Sequence, residues 1–114
     1  MIDVSPERFD HLVGDALDGI PEALAEAIDN VVVVVAERGD PPDLLGLYEG
    51  IPLTERSDYG GLVLPDRITI YRQAILELCR SEAEVVDEVR TTVIHEVAHH
   101  FGIDDDRLHE LGWG

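Results

Sequence analysis

His95-Glu96-Val97-Ala98-His99-His100-Phe101-Gly102-Ile103-Asp104-Asp105 places two spaced imidazoles, a carboxylate, a glycine and further carboxylates within eleven residues. In an α-helix, positions i and i+4 share a face about 6 Å apart along the axis, so His95 and His99 can aim two nitrogens at one ion. Two ligands alone hold zinc poorly. Glu96, rotated about 100° from His95, would flank the ion and reach a water on it without being a ligand, which is the position of a general base. Gly102, three residues past His99, can adopt the left-handed conformation that ends a helix and turns the chain back. Asp105, six residues past His99, stands at the third-ligand place of the pattern HExxHxxGxxH, with Asp for the last His. Two neutral imidazoles, one carboxylate and a water make a tetrahedral catalytic zinc site with one open position. The alternative is a solvated helix face that carries the same letters by accident. Glycine and aspartate at these offsets weigh against it.

Working outward, 114 residues suffice for one modest core, so a single domain over 1–114 is expected. Hydrophobic residues make up 45% of the chain, as in a folded protein. The longest strongly apolar run, Val31 to Ala36, is too short to cross a bilayer, and the first residues lack the basic start and apolar stretch of a secretory signal. A cytoplasmic protein is therefore expected. Cys79 is the only cysteine, which excludes an internal disulfide and cysteine-rich zinc modules and leaves a buried thiol as its expected role. A net charge of −17 repels nucleic acid and anionic membranes and favours cations and basic peptides, or serves solubility alone.

Ser5-Pro6 opens a helix whose apolar positions Phe9, Leu12, Val13, Ala16 and Leu17 follow helical spacing up to Gly19. A second short helix is expected from Pro21 to Ile28. Val31 to Val35 reads as a central strand buried on both faces, and Leu45 to Tyr48 as a second short strand. Thr54 to Gly61 reads as a mobile surface loop. Arg67 to Tyr71 alternates as a strand does, and Gln73 to Cys79 fits a short helix. Ser81-Glu82-Ala83-Glu84 has the form of a capping box, and no Pro or Gly interrupts the chain from there to Phe101. Val85, Val86, Val89, Thr92, Val93 and Val97 give this long, histidine-bearing helix an apolar stripe. Asp104 or Asp106 is expected to cap a last helix ending near Leu111.

With these residues in place, the chain resembles the small bacterial zincin-like metallopeptidases of Asp-zincin type, the minimal zincins. Beyond the metal motif, Leu44 to Gly50, Pro65 to Tyr71 and Arg107 to Trp113 look like family segments, so the likeness spans roughly residues 31–113. The resemblance implies a mixed α/β (α+β) fold, a small twisted sheet packed on a long active-site helix with flanking helices. It implies His95, His99 and Asp105 as zinc ligands and Glu96 as base. It also implies a peptide or protein substrate of unspecified identity. The larger metzincins pass beneath their metal through a methionine turn, which is absent here because Met1 is the only methionine.

The expected function is thus a zinc-dependent metallopeptidase; its rival is a non-catalytic metal-binding or peptide-binding module on the same scaffold. Neither nucleic acid nor membrane is expected as a partner, and a homo-oligomer stays open. His100, four residues after Glu96, is expected at the helix surface or paired with Glu96. His109 is open between supporting a metal ligand and a structural role, Tyr71 between oxyanion donor and core, and Trp113 between a floor for the metal site and simple hydrophobic anchoring. His11 is expected on the surface of the first helix.

Overall fold

A computed structural model describes residues 2–27, 31–50, 66–103 and 105–110, with Ala27 and Asp105 described in their backbone only. The elements run α1 (Pro6–Asp18), α2 (Glu22–Ala27), β1 (Val31–Ala36), β2 (Gly46–Glu49), β3 (Asp66–Tyr71), α3 (Arg72–Leu78), α4 (Glu82–His100) and α5 (Asp105–Glu110). The fold is α+β, helices packed with a small sheet. Among the described residues no helix is long and apolar enough to cross a membrane.

Local chemistry starts the helices where the sequence says they start. The Ser5 hydroxyl accepts from the Arg8 N–H at 3.1 Å with proline opening α1, and the Ser81 hydroxyl accepts from the Glu84 N–H at 3.2 Å to open α4. The Glu84 carboxylate reaches back toward the Arg80 N–H at 3.4 Å, one residue short of the usual capping-box partner. Helix α1 then buries Phe9, Leu12, Val13 and Ala16, and α4 buries Val85, Val89, Val93 and Val97. Each large side chain buried in this way contributes roughly 1.5–3 kcal/mol. The two helices meet along these stripes, and Arg8 grips Glu82 across their N-terminal ends.

Among the described residues three strands lie in the order β1-β3-β2, β1 parallel and β2 antiparallel to β3. This corrects the place expected for the valine run. β3 takes the centre, where Ile68, Thr69 and Ile70 are all buried, and among the described strands β1 lies at an edge. Nor is β1 buried on both faces: Val32 and Val34 are 43% and 40% exposed, while Val31, Val33 and Val35 pack against the core. A run of five valines contains no polar letter to mark its outer face, so sequence alone could not separate edge from centre. The expected loop from Thr54 to Gly61, Asp104 as a cap, and Trp113 lie outside the described residues. Asp106 sits inside α5 and is no cap.

Buried Arg72 ties the N-terminal segment to the sheet. Its guanidinium donates to the Val4 carbonyl at 2.5 Å and to the Glu37 carboxylate at 2.7 Å. Sheet and α4 approach closely at Gly46, where a Cβ would stand 2.7 Å from the Thr92 methyl and 3.1 Å from the Thr69 carbonyl oxygen. Only a residue without a side chain lets β2 lie this close to the helix.

Candidate metal centre

One face of α4 and the segment leading into β2 enclose a cleft of about 410 Å³. The helix contributes Glu88, Thr91, Thr92, His95, Glu96 and His99, which follow the three-and-four spacing of a single stripe. Leu44, Leu45 and Gly46 form the opposite wall. The core stripe of valines lies on a neighbouring face, so packing of the helix fixes the direction of the cleft stripe.

His95 is half-buried and His99 exposed, with ring centres 6.0 Å apart and planes tilted by 39°. Imidazoles that share a tetrahedral zinc through bonds of about 2.1 Å have ring centres roughly 5 Å apart, so this pair stands about 1 Å wider than a shared ion would hold it. Glu96 is half-buried in the same cleft. Its burial raises the carboxyl above the ordinary value of 4.5 despite the pull of His99 and His95 in the other direction. A carboxylate of raised basicity beside two imidazoles suits proton transfer.

The turn expected after the histidines is present. Gly102 has φ +76°, its N–H bonds to the His99 carbonyl at 3.1 Å, and the Ile103 N–H bonds to the Ala98 carbonyl at 2.8 Å. These two bonds form a Schellman motif, which ends α4 and reverses the chain. Asp105 follows as the first residue of α5; its side chain lies outside the described residues. Among the described residues no group of three metal-capable side chains comes together, so the structure itself supplies two imidazoles and leaves the third ligand as an expectation.

Other residues singled out by the sequence fall elsewhere. His100 does not pair with Glu96; it stacks on Tyr48 with centroids 4.0 Å apart and planes within 19°, and its Nε2 lies 4.0 Å from Asp66. The Tyr48 hydroxyl donates to the same Asp66 carboxylate at 2.7 Å. This contact pins the last turn of α4 to β2 and β3. Tyr71 is not part of the cleft lining; its ring fills the space beside Gly39. His11 and His109 are exposed. Cys79 is buried, and burial pushes its thiol up from the ordinary value. Glu88 was legible in principle, since it precedes His95 by two helical turns. Asp43, which also borders the cleft, gives no local signal because only the fold brings it there.

A family model described as zincin-like metallopeptidase matches residues 19–113. Among solved structures, the chain is similar to a conserved hypothetical protein from Thermo thermophilus, with TM-score 0.53 and 25% identity over 86% of this chain and 94% of that one. No curated protein matches the chain.

Proposed function

The chain belongs to the zincin-like metallopeptidase family, and on that premise we propose that it is a zinc-dependent peptidase. His95, His99 and Asp105 hold the metal, and Glu96 moves the proton. The observation that carries the reading is the placement of His95, Glu96 and His99 together on the last turns of one helix, facing a cleft walled by the segment that leads into β2. Zinc, when bound, polarises the scissile carbonyl and makes its water acidic near neutral pH.

The protein's own residues supply the rest. Among the described residues β2 is an outer strand of the sheet, as β1 is on the other side, and it is the one next to the cleft, so an extended peptide laid beside it would gain backbone hydrogen bonds and pass in front of the histidine pair. A Glu96 carboxylate oxygen takes a proton from the attacking water and returns it to the nitrogen of the leaving amine. Half-burial of Glu96 limits competition from bulk water for that proton.

The test pairs metal content with cleavage of a broad peptide library. Wild type should bind zinc and cut, whereas Glu96→Gln should retain zinc and lose roughly 10²–10⁴-fold in rate, the usual contribution of a positioned acid–base group. Loss of zinc in that variant would make Glu96 a ligand instead. A wild type that binds zinc and cuts nothing would move the chain to the peptide-binding reading.

A further inference from the structure

The cleft extends beyond the histidine pair toward the start of α4, and its lining changes character there. Pro41, Leu44 and Leu45 make an apolar wall. Glu88 stands on the helix at the end distant from His99, and Asp43 also lines the cleft. Because β2 carries the chain from Gly46 beside Thr92 to Gly50 beside His100, the segment that carries Asp43 precedes it on the Glu88 side. Among the described residues no arginine lines the cleft. Nor does the chain contain any lysine. Among the described residues neither Asp43 nor Glu88 is in an ion pair.

An apolar channel that ends in unneutralised carboxylates complements a side chain with an aliphatic stem and a cationic head. We propose that this end of the cleft selects a lysine or arginine side chain of the peptide substrate, with Asp43 and Glu88 as the specificity-determining residues; the inference rests on the peptidase reading above. The helix also sets the distance. Seven residues separate Glu88 from His95, about 10 Å along the axis, and an extended peptide advances about 3.3 Å per residue. The basic residue therefore lies within about three residues of the scissile bond.

The experiment compares two peptides that differ only in lysine against norleucine at that position, cut by the zinc-loaded protein. The ratio of their kcat/KM values should be about 10 or more in wild type, as a charge-assisted contact supplies. It should fall toward 1 in the Asp43→Asn/Glu88→Gln double variant, with equal zinc content reporting an intact fold. A ratio near 1 in wild type, or an undiminished ratio in the double variant, overturns the proposal. If neither peptide is cut, the peptidase reading fails separately, and binding of the same labelled peptides decides the cleft. Lysine-selective binding that the double variant loses supports selection, and equal binding of both peptides overturns it.

Discussion

Asp105 and Asp106 are consecutive backbone positions at the start of α5, and consecutive helix positions are rotated by about 100°. The offset from His99 selects Asp105, so Asp105→Ala should weaken zinc binding by at least about 10 to 100-fold, while Asp106→Ala and Asp104→Ala should do less. Titration with a competing chelator measures this, and equal affinities in all three variants would remove Asp105 from the ligand set. At this scale the sequence was readable wherever the partner lay on the same helix: His95, Glu96 and His99 are related by periodicity alone. Readability stopped at contacts across the fold. His100 meets Tyr48, 52 positions earlier, and no local pattern announces a stack between a helix end and a strand.

Between elements, the contact that shapes the cleft is the approach of β2 to α4 at Gly46. Gly46→Ala would drive a methyl against Thr92 and the Thr69 carbonyl, backbone that cannot yield as a flexible side-chain tip does. Overpacking of this kind costs about 1–3 kcal/mol, measurable in urea unfolding, and the displaced wall of Leu44 and Leu45 should lower peptidase activity beyond the loss of stability. An alanine variant as stable as wild type would show that β2 has room to spare. Element types followed the sequence closely because caps and apolar periods are local. The strand order did not, since the valine run and the alternating β3 compete for the centre of the sheet and only three-dimensional pairing decides between them.

For the molecule as a whole, the clamp between Arg8 and Glu82 joins the first helix to the helix that bears the site. Hydrogen bonding to Arg8 holds the Glu82 carboxyl below its ordinary value of 4.5. A carboxyl lowered on folding contributes stability that is full above the unfolded value and fades as pH falls through the folded one. A double-mutant cycle on Arg8→Ala and Glu82→Ala should therefore show coupling at pH 7 that disappears in acid below the carboxylate range and shrinks with added salt. Coupling that persists in acid would assign the contact to packing of the side-chain stems.

The buried core is built from α1, β3, α3 and the valine stripe of α4, with Leu24 of α2 and Leu108 of α5, and the two histidines stand on a different face of α4 from the valine stripe. Chelation should accordingly leave the far-ultraviolet circular dichroism nearly unchanged and lower the melting temperature only by the linkage owed to a bound ion. Collapse of the helical signal on chelation would instead make the metal part of the scaffold. A scaffold that stands without its ion can be synthesised empty and charged afterwards. On the proposed reading its working fraction would then follow the local supply of free zinc, as a rechargeable device follows its current, and catalytic capacity would rise or fall while the amount of protein stays fixed.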